Sequence, residues 1–116
     1  MRVIVCGGRS FNSKAAAFCY LDSIHKLEPI ATIIHGGARG ADEIAFQWAR
    51  DRGVNEVVYH ADWAKHGRKA GPIRNNEMAN SGADLCIAFS GGRGTEHMIN
   101  MATSKGIEVR RISEDG

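Results

Sequence analysis

The sequence predicts an α/β fold: a Rossmann-like parallel sheet of about five strands with helices on both faces. Three observations carry that expectation. Short β-branched apolar runs recur along the chain, each reading as a strand buried on both faces. Stretches with helical periodicity separate them, so β and α alternate. Several runs end abruptly in glycines, as a strand does when it turns into a helix. Right-handed crossovers then leave the strand order 3-2-1-4-5, which reverses direction between strands 1 and 4.

The elements follow in order. Arg2-Val3-Ile4-Val5-Cys6 is the first strand, Gly7 to Phe11 its loop, and Asn12 or Ser13 a cap for the next helix. Ala16, Ala17, Tyr20, Leu21, Ile24 and Leu27 recur at helical spacing and predict a helix over 13–27, with Pro29 just past its end. Ile30 to His35 is the second strand. Asp42 to Asp51 is a helix with Ile44, Ala45 and Trp48 on one face and Gly53 as its C-cap. Glu56 to His60 is the third strand. Residues 61–72 read as the longest irregular stretch, followed by a helix over about 73–80. Leu85 to Phe89 is the fourth strand, Glu96 to Lys105 a helix, and Ile107 to Ile112 a fifth, edge-like strand. The tail Ser113 to Gly116 is expected to be loose.

At 116 residues the chain is expected to form one domain, able to bury roughly two-thirds of its unfolded surface. Hydrophobic and charged contents of 43% and 24% are ordinary for a soluble protein. A net charge of +2 offers little phosphate-neutralising capacity, so nucleic acid fits poorly as a partner. No apolar run approaches the ~18 residues of a membrane span, and the N-terminus lacks the build of a signal peptide. Three cysteines, two of them inside strand-like runs, argue against a disulfide framework and for a reducing compartment, here the cytoplasm. No cysteine or histidine grouping has zinc-ligand spacing, and neither a metal nor a cofactor is expected.

The chemistry lies in the glycine loops. Ligands of open parallel sheets bind at the strand C-termini beside the switch point. The loops after strands 1 and 4 carry Gly7, Gly8 and Arg9, and Gly91, Gly92, Arg93 and Gly94. The loop after strand 2 carries Gly36, Gly37 and Arg39 and lies next to them. Backbone N–H groups at a helix start can hold a phosphate, and Thr95 adds a hydroxyl. Arg74 opens a helix at the same edge, suited to a bidentate phosphate contact or to a surface ion pair. One or two of Arg9, Arg39 and Arg93 are expected to pair with phosphate. Asp42 and Glu96, each early in a helix, either answer the helix dipole or bind a ribose hydroxyl. With a raised pKa, either would serve as a general base. Trp63 either stacks on a base or packs beneath its own loop. The basic residues around it (Lys65, His66, Arg68, Lys69) form a lid or a solvated loop.

Gly7-Gly8-Arg9-Ser10-Phe11, Gly36-Gly37-Ala38-Arg39-Gly40-Ala41-Asp42, Ala70-Gly71-Pro72-Ile73-Arg74-Asn75 and Gly91-Gly92-Arg93-Gly94-Thr95 together resemble the YspA-like branch of the SLOG superfamily. Small proteins of this branch occur in bacteria and phages. The resemblance implies a Rossmann-like domain that binds a nucleotide-derived molecule, with ADP-ribose-type signals among the candidates. It also implies a homo-oligomer, dimer or tetramer, and adds Asn75 to the binding residues. Relatives include the lonely-guy phosphoribohydrolases and the DNA-processing protein DprA. The hydrolases carry a proline before the glycines and a glutamate three residues after the threonine; here those positions are Ser90 and Met98. The binding half of the signature is thus intact, and hydrolysis of nucleoside monophosphates would require Glu96 or Asp42 as the base.

Overall fold

The computed structural model describes residues 1–112, so the expectation for the tail falls outside the described residues. Five strands form one parallel sheet: β1 (Arg2–Cys6), β2 (Thr32–His35), β3 (Asn55–Val58), β4 (Leu85–Ala88) and β5 (Glu108–Arg111). Their order is β3-β2-β1-β4-β5, as the alternation of elements predicts. Helices α1 (Lys14–Leu27), α2 (Ala41–Arg52), α3 (Trp63–His66), α4 (Ala70–Ala79) and α5 (Arg93–Ser104) make the connections.

β1 is the central strand, pairing Ile4 with Ile34 on one side and with Cys86 on the other. Strand side chains alternate between faces, and that period divides the core in two. Val3, Val5, Ile33, Leu85 and Ile87 pack with residues of α1 and α2, among them Leu21, Ala45 and the fully buried Trp48. Ile4, Cys6, Ile34, Cys86 and Ala88 pack with Met78 of α4 and with Met98, Ile99 and Ala102 of α5. Trp48 is therefore a core residue, and its indole N–H is satisfied by Asp22 Oδ1 at 2.9 Å. The thiols of Cys6 and Cys86 are free, buried and 4.0 Å apart.

Several boundaries differ from the sequence pattern. Residues 61–72 are largely helical: α3, a 3-10 turn (Gly67–Lys69) and the first turn of α4 occupy most of them. Asp62 starts α3 by accepting a hydrogen bond from the Lys65 N–H at 3.1 Å. Pro72 sits inside α4 rather than before it, because a first-turn residue needs no intrahelical N–H partner. α5 begins at Arg93, so Gly94 and Thr95 belong to its first turn and not to a loop. β2 and β3 are each shorter than their apolar runs, and β3 stops at Val58.

The C-terminal ends of β1, β2 and β4 bring the glycine loops into contact. Gly8 N–H donates to Ser90 O at 2.8 Å, and Gly8 O accepts from Ala41 N–H at 3.3 Å. A Cβ on Gly8 would lie 3.1 Å from Gly91 Cα, so two backbones touch where a side chain would hold them apart.

A candidate ligand cleft at the strand C-termini

A cavity of about 720 Å³ opens at this edge, between the loop after β1, the start of α5 and the inner face of α4. That volume suits a nucleotide-sized ligand. Each wall has its own chemistry. Met78, Met98, Pro72 and Val5 make an apolar floor and side, and Trp63 flanks them. The Trp63 side chain is about half exposed and lies over Gly71, where a Cβ would sit 3.3 Å from the indole. Gly92, Arg93, Gly94 and Thr95 supply the start of α5, whose first-turn N–H groups have no partners within the helix. Gly92 and Gly94 have open space where a Cβ would stand.

Charge gathers at the same place. Arg9, Arg74 and Arg93 border the cavity against one carboxylate, Asp42. Arg74 donates through Nη1 to Gly36 O at 2.7 Å and through Nε to Asn75 Oδ1 at 3.0 Å. Burial first, and then the charge of Arg9, pushes the pKa of Arg74 down, while Asp42 opposes that shift.

Asp42 is buried, and its Oδ2 accepts from Gly36 N–H at 3.1 Å and Ala38 N–H at 3.2 Å. It thereby pins the loop after β2. Burial raises its pKa above the ordinary carboxylate value, against the lowering effects of the Ala38 N–H, His35, Arg74 and the Gly36 N–H. His35 braces the same loop: its Nδ1 accepts from Gly37 N–H at 3.0 Å, so its ring proton lies on Nε2 and faces Glu56 Oε2.

A second histidine, His97, enters the cavity wall from α5. It is not among the residues that the sequence predicts for the site. Asn75 fixes its state. Arg74 Nε can only donate, so it must face Asn75 Oδ1; Gly94 O can only accept, so it must face Nδ2, at 3.3 Å. The same Nδ2 meets His97 Nδ1 at 3.1 Å, which must then be the acceptor. The His97 ring proton therefore lies on Nε2. The signal available in the sequence was the i, i+2 placement of His97 after Thr95 in a glycine-led helix start.

Not every expected residue reaches the cavity. Gly7, Gly8, Arg9, Asp42, Trp63, Arg74, Asn75, Gly92, Arg93, Gly94 and Thr95 line it. Gly91 lies behind it: a Cβ there would meet Thr95 Oγ1 and stand 2.6 Å from Gly8 N. Gly36, Gly37 and Arg39 border an adjoining lobe. Glu96 stands apart. It is exposed and holds Arg111 of β5 in a fork, at 2.9 and 3.0 Å, and the Arg111 hydrogen bonds push its pKa down. That is the opposite of what a general base requires. Lys65, His66, Arg68 and Lys69, expected as a lid or a solvated loop, do not line this cavity. Among the described residues no group of three or more His, Cys, Asp or Glu side chains is placed to hold a metal ion, and no helix is long and apolar enough to cross a membrane.

The chain is similar to the Gene 61 protein of Mycobacterium phage D29, 42% identical over an alignment covering 93% of each chain. No solved structure gives a significant match. Residues 1–66, which hold the glycine loops after β1 and β2 and reach Trp63, match the family described as YspA, cpYpsA-related SLOG. The chain belongs to that SLOG family.

Proposed function

We propose that the protein binds a nucleotide-derived small molecule, with ADP-ribose-type and other nucleotide signals as the candidates, and acts as a sensor or a sponge for it. One observation carries the reading: an apolar cavity with an exposed tryptophan at one side faces a glycine-led helix start and three arginines. In this reading the base lies against Trp63, Met78 and Met98. A phosphate sits on the N–H groups of Gly92 to Thr95 and on Arg74. His97 Nε2–H adds a neutral donor. The charge of Arg9 bears on Arg74, and an anion between them would relieve that repulsion. Membership of the SLOG family supports a nucleotide-related ligand at the same coarse level.

A second reading is nucleoside 5′-monophosphate N-glycosidase activity. It is favoured by Asp42, a buried carboxyl at the cavity with a raised pKa, as a base that activates water would need. Glu96 drops out of that mechanism, because Arg111 occupies both its oxygens. The catalytic role then rests on Asp42 alone.

One assay separates the readings. The protein is incubated with nucleoside monophosphates, ADP-ribose and cyclic ADP-ribose isomers, filtered, and the filtrate analysed before and after heating. A ligand lost from the filtrate and recovered intact on heating is the expected result. Free base and ribose phosphate accumulating with time, and abolished by Asp42→Asn, would establish the glycosidase instead. We further propose a homo-oligomer working in the cytoplasm; a monomer mass in light scattering at all concentrations refutes the assembly.

A further inference from the structure

The cavity does not end at its first lobe. A second lobe of about 670 Å³ continues from it, sharing Arg9, Ala38, Trp63 and Arg74. Arg39 and His60 border this second part and not the first. The chemistry changes across the shared residues. Met78, Met98 and Pro72 are left behind, three guanidiniums face the new space, and no carboxylate lines it.

Those guanidiniums are also not held in ion pairs. Arg52, Arg110 and Arg111 each pair with a carboxylate on other parts of the surface. Among the described residues Arg9, Arg39 and Arg74 have no such ion pair. Three like charges around one concave space, with Asp42 beside Arg74 the one carboxylate of the adjoining lobe, leave it net positive and favour an anion. A planar guanidinium fork matches the oxygens of a phosphate better than any other common anion-binding side chain.

We propose that the ligand is a nucleotide with a second phosphate, taken by this second lobe. The base and first phosphate occupy the first lobe, and the second phosphate lies on Arg9 and Arg74 with Arg39 beyond. The inference rests on the nucleotide-binding reading above and narrows it. A second phosphate can end a nucleoside diphosphate or bridge to a further group, and a lobe of about 670 Å³ has room for the latter.

Calorimetric titration of the full chain tests it with AMP, ADP and ADP-ribose, repeated with GMP, GDP and GDP-mannose and with UMP, UDP and UDP-glucose. For at least one base, the second phosphate is expected to tighten binding by about tenfold or more, the worth of a charge-assisted contact. Arg39→Gln should lower that ratio, and Arg39→Lys should restore part of it. Arg39 is exposed, so folding is not at stake in either variant. Comparing ADP with ADP-ribose distinguishes a terminal from a bridging phosphate. If monophosphates bind and the second phosphate adds nothing, the second-lobe inference fails and the nucleotide reading stands. An Arg39→Gln variant that keeps the full ratio overturns the inference as well. If no nucleotide in the panel binds, both fall together.

Discussion

Asp42 shows how much a single residue does at this edge. Its carboxylate ties down two N–H groups of the loop after β2 while facing the cavity. Replacing it by alanine leaves both donors without their acceptor, at a cost of about 1–3 kcal/mol in denaturant unfolding. The pH dependence has a definite sign. Burial holds the folded pKa above the ordinary value, so the native state binds this proton more tightly than the unfolded chain does. The stabilisation from that proton is full below the ordinary carboxylate pKa of about 4 and is lost as pH rises through the raised one. Wild-type stability measured against Asp42→Asn, whose side chain stays neutral, should therefore fall from acid towards neutral pH. Urea midpoints across a pH series check this, and a difference that grows with pH contradicts it.

The glycines separate in the same residue-by-residue way. Gly91→Ala drives a Cβ into Thr95 Oγ1 and the Gly8 backbone, so overpacking should destabilise the fold by about 1–3 kcal/mol. Gly94→Ala enters open space within the first turn of α5, where alanine favours the helix by up to about 1 kcal/mol. It should raise the melting temperature while weakening ligand binding, since the methyl group projects from a residue lining the cavity. Both glycines look alike in the motif. Only their neighbours distinguish a packing glycine from a ligand-facing one.

At the scale of elements, α3, α4 and α5 decide the cleft. A sequence reading that begins the helix only after Pro72 makes the preceding residues a loop, because proline interrupts helices elsewhere. In the first turn it does not, and α4 starts early enough to carry Gly71 under Trp63. α3 then holds that indole at the mouth of the cavity, capped by Asp62. Of the two tryptophans, Trp48 is buried in the core and Trp63 is about half exposed. Ligand binding should thus quench or shift the emission of Trp63 alone. Trp63→Phe is expected to abolish the ligand-induced change while keeping the buried Trp48 signal. A change that persists in the variant would place the base elsewhere. In α5, successive residues project about 100° apart. Thr95 and Met98 therefore face inward on one side while Glu96 turns towards β5 and meets Arg111.

Across the whole molecule, a net charge of +2 conceals an uneven distribution. Arg9, Arg39, Arg74 and Arg93 collect around one cleft, while Arg52, Arg110 and Arg111 are neutralised by carboxylates away from it. Affinity for a phosphorylated ligand should accordingly fall as salt is raised to about 0.5 M, where screening acts over a few ångströms. Titration at two ionic strengths reads this directly, and an affinity indifferent to salt would argue against arginine–phosphate contacts.

The topology was legible in the sequence because it depends on local signals. Apolar runs of strand length, helical spacing between them and glycine at most of the turns leave few ways to wind a right-handed parallel sheet, and the order β3-β2-β1-β4-β5 is the one observed. The same reasoning placed the glycine loops together, since strand C-termini share an edge. What each side chain does there was settled by tertiary structure. Arg74, Asn75, Gly94 and His97 are far apart in the chain or on different helices, and only the packing of α4 against α5 joins their hydrogen bonds into one network. Glu96 and Arg111 meet because the end of β5 lies beside Ala88, a register that no local pattern encodes. Pairings across the sheet and between helices arise from the shapes that the core accepts, so they appear only once the chain is folded.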